Sequence, residues 1–255
     1  MSCKIDYQAP PDLLENRVIL VTGAGDGIGR AAALSYARHG ATVILLGRTI
    51  KKLERVYDEI EAAGGPQPAI FPLNFEGATL ADFHDMAQTL DNEFGRLDGL
   101  LHNASLLGRI TPFSQYDPEL WEQVMQVNIN GPIWMTQALL PLLEKSEDAS
   151  VIFTSSSVGR KGRAYWGAYS VSKFATEGFM EVLADELESQ THLRVNTLNP
   201  GATRTQMRRS AYPGEDPATL RTPADIMPTY LWLMGPESAG VSGQKFDAQP
   251  PRVSA

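Results

Sequence analysis

A doubly wound α/β fold, with seven parallel strands and helices on both faces of the sheet, is what this sequence predicts, on three observations. Short β-branched apolar runs alternate with amphipathic helical stretches from Arg17 to the C-terminal region. The first of these runs ends in a glycine-rich turn that opens a helix. At 255 residues, with no repeat, low-complexity tract or linker, the chain has the length of one large domain. Strand, glycine turn and helix in succession make this a Rossmann-type arrangement.

Met1 to Asn16 is polar and proline-containing and reads as a loosely held lead-in, the domain proper running from 17 to 255. Arg17 to Val21 is almost wholly apolar, as a strand covered on both faces must be. It runs into Thr22-Gly23-Ala24-Gly25-Asp26-Gly27-Ile28-Gly29, and Arg30 to Arg38 continues as a helix. Ala41 to Leu46 is the second strand, Lys51 to Ala63 the next helix, and Ala69 to Leu73 the third strand. Thr79 to Phe94 is an amphipathic helix, and Leu97 to His102 a fourth strand that delivers Asn103 to its carboxyl end. Pro118 to Leu143 is a long helical stretch in which Pro132, lacking an N–H, leaves the carbonyl of Asn128 without its donor and should bend the helix. Ser150 to Thr154 is the fifth strand, Gly167 to about Gln190 a helix, and Leu193 to Leu198 the sixth strand. Thr203 to Asp225 shows no clear periodicity and reads as a lid, before a short helix from Pro223 and a last strand at Gln244 to Asp247.

Composition bounds the function. A net charge of −8 disfavours nucleic acid or an anionic membrane as partner, and no apolar run or leader pattern suggests a membrane span or export, so a cytoplasmic protein is expected. One cysteine, Cys3, excludes an internal disulfide, and His39, His84, His102 and His192 lack ligand spacing, so no metal is expected.

Two stretches carry chemistry. The glycine turn lets backbone approach a pyrophosphate, with helical N–H groups and a positive dipole end behind it, although the charge of Asp26 opposes a second phosphate contact. At the end of the second strand, where an acidic residue would bind the ribose hydroxyls of NAD, stand Gly47 and Arg48. A guanidinium there suits a 2′-phosphate, so NADP(H) is favoured over NAD(H). The second stretch is Tyr169-Ser170-Val171-Ser172-Lys173, with Ser156 thirteen positions upstream. On a helix, Tyr169 and Lys173 lie one turn apart on one face, and a cation beside a phenol lowers its pKa, tuning a proton donor. Arg204, Arg208 and Arg209 in the lid could meet an anionic substrate.

These motifs together resemble the classical short-chain dehydrogenases/reductases from about Arg17 to Phe246. The matches are TGAGDGIG, HNAS, VNINGP, and S-x12-Y-x3-K followed by NPGATRT. Within the family, TSSSVGRKGRAYWGAYSVSKFATEG, ADIMPTYLWLMG and FDAQP resemble a bacterial oxidoreductase subgroup. The resemblance implies hydride transfer between a nicotinamide and a small carbonyl or alcohol substrate. It makes Tyr169 the general acid/base, with Lys173 lowering its pKa and binding the nicotinamide ribose. Ser156 would bind the substrate oxygen, and Asn128 would hold a relay water on its carbonyl. Gly23, Asp26, Gly27, Ile28 and Gly29 would face the pyrophosphate, Arg48, Asn74 and Asn103 the adenosine side, and Pro200, Gly201, Thr203 and Thr205 the nicotinamide end. It also implies a homo-oligomer, a dimer or tetramer, built on the two long helices. Two departures from the family pattern, His102 with Ser105 and Asn74 in place of aspartate, bear on the adenosine side. A nucleotide-binding sensor or scaffold that lost its chemistry is the alternative.

Overall fold

The computed structural model describes residues 3–189 and 192–250. Its seven strands form one parallel sheet: β1 (Val18–Thr22), β2 (Thr42–Gly47), β3 (Ala69–Pro72), β4 (Gly99–His102), β5 (Ala149–Thr154), β6 (Leu193–Asn199) and β7 (Lys245–Asp247). They lie in the order β3-β2-β1-β4-β5-β6-β7, every neighbouring pair parallel. The order reverses between β1 and β4, and at such a switch point a crevice opens at the carboxyl ends of the strands.

Consecutive strand residues point to opposite faces, so each apolar run feeds two cores. Ile19 and Val21 of β1, with Val43 and Leu45 of β2, pack beneath α1 (Gly27–Arg38), α2 (Ile50–Ala62) and the C-terminal α8 (Met227–Met234). Leu20, Ile44 and Leu46 face the other way, against α3 (Leu80–Phe94), α5 (Gly131–Glu144) and α6 (Gly167–Glu186). Both cores are apolar, largely aliphatic with a few aromatic rings, and they fix the sheet on which the crevice is carried.

The polar lead-in is not loosely held. Leu13 and Leu14 are buried in the first core, Leu14 N–H donates to the His39 carbonyl (2.9 Å), and Lys4 N–H reaches Thr229 Oγ1 (3.2 Å). Two adjacent leucines in a polar stretch were the signal for this docking. In the long helical stretch the interruption expected at Pro132 takes the form of a π turn. α4 (Pro118–Met125) passes through a π turn at Gln126–Asn130 into α5. One residue is accommodated as a bulge where the proline interrupts the donor ladder. At the end of α6 the helix stops at Glu186, and Gln190 lies outside the described residues. No described helix is long and apolar enough to cross a membrane.

Candidate active site

The crevice begins at the glycine turn. Gly23 and Gly27 take φ of +67° and +55°, the left-handed region that favours glycine. Gly29 serves a different end: it is buried under the turn, and a Cβ there would sit 2.2 Å from the Gly23 carbonyl oxygen. It lets helix α1 approach the turn rather than lining the groove. Asp26 caps α1, accepting from Gly27 N–H (2.8 Å), and its other oxygen pairs with Lys52 Nζ (2.6 Å). The ammonium, first among its causes, holds the Asp26 carboxyl below its ordinary value. Its negative charge is thus answered before any phosphate arrives.

Arg48 projects from the end of β2 as the sequence predicts, but it is not free. Its Nη1 donates to Glu76 Oε1 (2.8 Å), on the loop after β3 where Asn74 Oδ1 accepts from the Glu76 N–H (3.3 Å). Arg48 and Asn74 line a small cavity of about 270 Å³ with Gly23, Asp26 and Lys52. Asn103 is tied to the end of β1: its N–H donates to Thr22 Oγ1 (2.9 Å) and its Nδ2 to the Thr22 carbonyl (3.2 Å).

A larger cavity, about 980 Å³, continues over β4, β5 and β6. It brings together Gly23, Asp26, Gly27, Ile28, Arg48, Asn103, Ser156, Tyr169, Lys173, Pro200, Gly201, Thr203 and Thr205. Tyr169 and Lys173 sit on the first turns of α6, both buried, so the one-turn spacing faces the groove. Ser156 follows β5, its Oγ accepting from Val158 N–H (3.4 Å), and it lines the same cavity as the phenol.

The electrostatics differ from the tuned pair expected of neighbouring tyrosine and lysine. Burial pushes the Tyr169 phenol up to about 12, against which the Ser156 side chain pulls downward. Burial lowers Lys173 to about 8, partly countered by the charge of Glu177. The ammonium donates to the Thr154 carbonyl (2.8 Å) and lies 5.6 Å from the centroid of the Tyr169 ring. It is held beneath the ring by backbone rather than aimed at the phenolic oxygen. Desolvation therefore outweighs the nearby charge, and the phenol is kept protonated at neutral pH.

Asn128 is buried and does not line the groove. Its Oδ1 accepts from Leu106 N–H (2.7 Å), while Nδ2 donates to the Leu106 carbonyl (2.9 Å) and to Ser172 Oγ (3.0 Å). The amide thus clamps the loop after β4 to α6 from the π turn. On β4, His102 stacks on Phe153 (4.6 Å, 9°), and Nε2 bonds Thr136 Oγ1 (2.8 Å). Because that hydroxyl already donates to the Pro132 carbonyl (2.7 Å), Nε2 carries the proton. Burial, then the charge of Lys173, pulls this imidazole down to about 3, so it stays neutral.

The model of the family described as short chain dehydrogenase matches residues 17–216. The chain belongs to the short-chain dehydrogenase family. This short-chain dehydrogenase is 58% identical over 246 residues to the uncharacterized oxidoreductase YciK of Escherichia coli K12, covering 96% of this chain and 97% of that one. YciK is of the bacterial subgroup that the C-terminal motifs resemble. A structure described as a putative short chain dehydrogenase from Pseudomonas syringae is 61% identical, with a TM-score of 0.94 over 96% of this chain and 99% of the other. Another, from E. coli CFT073 and complexed with NADPH, is 59% identical, with a TM-score of 0.92 over 94% of this chain and the whole of the other.

Sequence reasoning overlooked the acid beneath this short-chain dehydrogenase's site. Glu177, buried on α6 one turn beyond Lys173, accepts from Thr197 Oγ1 (2.7 Å), Arg160 Nε (3.0 Å) and, closely, Ser155 Oγ. Arg160 continues the network to Asp247 Oδ1 (2.9 Å) and the Phe246 carbonyl (2.9 Å). The i, i+4 relation to Lys173 was the available signal. The lid, too, is better ordered than its missing periodicity suggests. It holds a helix, α7 (Gln206–Ala211), capped by Thr205, and a β-bridge between Thr203 and Arg221. Of its four arginines, Arg221 forms the bridge through its backbone and two others build the lid with their side chains: Arg204 bonds the Pro217 (2.8 Å) and Leu220 (3.2 Å) carbonyls, and Arg208 forks onto Glu215 (2.6 and 2.9 Å). Arg209 is exposed and lines neither cavity.

Proposed function

We propose that this short-chain dehydrogenase is an NADP(H)-dependent reductase of small carbonyl compounds, with Tyr169 as the acid. The observation that carries the reading is the convergence of Ser156, Tyr169 and Lys173 on the wall of one groove whose other end holds the glycine turn and Arg48. That groove suits a dinucleotide. The amino end of α1 and the left-handed glycines receive the pyrophosphate, Arg48 the 2′-phosphate, and Thr203 and Thr205 flank the nicotinamide end. Bound there, NADPH supplies the hydride that reaches the carbonyl carbon.

The chain supplies everything else. Ser156 orients the substrate oxygen, and Tyr169 gives up its proton to the oxygen as negative charge develops there. A phenol held near 12 is protonated over the working range and so can serve as the acid for reduction. Lys173 answers the phenolate left behind, and the Asn128 carbonyl, which Pro132 cannot serve as an α-helical donor, anchors the return path for the proton.

Arg48 gives the cofactor preference its test. Arg48→Ala should weaken NADPH about tenfold, the worth of one charge-assisted hydrogen bond, and leave NADH nearly unmoved. Fluorescence titration with both nucleotides reads this directly, and equal losses for the two would defeat the assignment of Arg48 to the 2′-phosphate. A panel of aldehydes and ketones, followed by NADPH oxidation, tests the activity itself.

The reading extends to assembly and compartment. Val171, Phe174 and Val182 are exposed on one flank of α6, a stripe suited to a second copy and hence to a dimer or tetramer. Light scattering at micromolar concentration should give a multiple of 27.9 kDa, whereas a monomer would remove this part of the proposal. The cytoplasm, which keeps the thiol of Cys3 reduced, is the compartment this reading assigns.

A further inference from the structure

The larger cavity carries more positive side chains than its chemistry accounts for. Among the described residues, five cations line it: Arg48, Arg160, Arg163, Lys173 and Arg208. Arg48 is matched by Glu76, Arg160 by Glu177 and Asp247, and Arg208 by Glu215, while Lys173 is the buried ammonium beneath Tyr169. The carboxylates in the wall, Asp26 and Asp247, are themselves paired with Lys52 and Arg160. Among the described residues, Arg163 has no carboxylate against it. Its one polar contact is long, Nη1 to the Tyr212 hydroxyl at 3.4 Å.

Arg163 also stands at a definite place relative to the acid. Trp166 lies 5.8 Å, centroid to centroid, from Tyr169 on one side and 5.8 Å from Tyr212 on the other. One face of Tyr212 is taken by Arg208, 3.7 Å from the ring. Aromatic surface therefore runs from the Tyr169 phenol to the hydroxyl beside Arg163, with Leu107 and Met207 in the same lining. The geometry points to a substrate that is a keto acid: a carbonyl at Tyr169, an apolar or planar body along Trp166, and a carboxylate on Arg163. One unmatched guanidinium answers one negative charge, and its fork fits the two oxygens of a carboxylate. This deepens the carbonyl-reductase reading and rests on it. The balance is ordinary: NADPH is oxidised, its hydride forms the new C–H bond, the carbonyl π pair takes the Tyr169 proton, and a hydroxy acid leaves.

The test compares 4-acetylbenzoate and 6-oxo-6-phenylhexanoate with their methyl esters, in the wild-type protein and in Arg163→Gln. The wild type should prefer each acid to its ester in kcat/KM by roughly ten- to hundredfold, mostly through KM. In Arg163→Gln the acid should fall to the level of the ester, with NADPH affinity retained as the check on integrity. Esters as good as acids in the wild type, or an acid preference that survives in the variant, would overturn the inference while leaving the reductase reading standing. If no carbonyl compound is reduced, the reductase reading falls, and calorimetry of 4-acetylbenzoate with the NADP-loaded protein decides the anion site alone. Binding lost in Arg163→Gln upholds the site, and equal binding or none overturns it.

Discussion

Tyr169→Phe should remove nearly all turnover, by about 10²–10⁴-fold in kcat, the usual worth of a positioned acid. NADPH affinity should stay within a few-fold. Phenylalanine keeps the ring over which Lys173 lies and against which Trp166 packs, and deletes only the hydroxyl that meets Ser156. The loss should therefore fall on the chemical step rather than on binding or folding. A variant retaining wild-type rates would end the assignment of Tyr169. The pH profile of the wild type offers a companion measurement. Tyr169, pushed up to about 12, stays protonated throughout an ordinary assay range. Lys173, pulled down to about 8, does not. Reduction should run on a plateau below about 8, where the ammonium is charged, and decline as pH rises through that value. A decline seen only near the phenol's value would mean that the lysine is not the titrating group.

The second large effect concerns stability. Glu177→Ala should cost on the order of 3–5 kcal/mol, because it removes one of the two carboxylates that hold the Arg160 guanidinium, and the Ser155 and Thr197 hydroxyls lose their acceptor. For a chain of this size that is a fall of about 10 °C in Tm, readable by calorimetry. The remaining partner, Asp247, is only partly buried and cannot replace a carboxylate lying between two strands and a helix. Activity should move in the same variant. Glu177 raises the Lys173 pKa against desolvation, so without it the alkaline decline should begin at lower pH. An unchanged Tm would show that the network contributes no net stability.

Much of the fold was legible because a doubly covered parallel strand must be apolar at every position. Ile19 to Val21 and Val43 to Leu46 feed both cores and could be read as strands without further context. The groove was legible for a related reason. The glycine turn, Ser156, Tyr169 and Lys173 each stand at a strand end or on the first turns of a helix, and parallel topology gathers those ends on one side.

Interactions with a partner distant in sequence escaped. Arg48 could be placed at the end of β2, but not paired with a glutamate on the loop after β3. The lid arginines could be counted, but not seen to be spent on Glu215 and on lid carbonyls. The sign of the Tyr169 shift depended on how dry the site is, and spacing along a helix carries no information about that. Arg160 stands out in the sequence as a loop cation, yet its anchoring to Asp247 and Phe246 is a fact of the sheet.

The wide turn between α4 and α5 has a consequence for how this chain can vary in length. A π turn spends one residue more than the helix around it needs, so Gln126 to Asn130 behaves as an insertion held in register. Losing that residue would restore a regular helix but rotate α4 by about 100° relative to α5. Val124, now fully buried, would swing off its seat, and Asn128 would turn away from Leu106 and Ser172. The spare residue thus works as a phase setting: it lets one helical rod present two incompatible faces, an anchor for the core on one side of the bulge and a clamp for the groove at it.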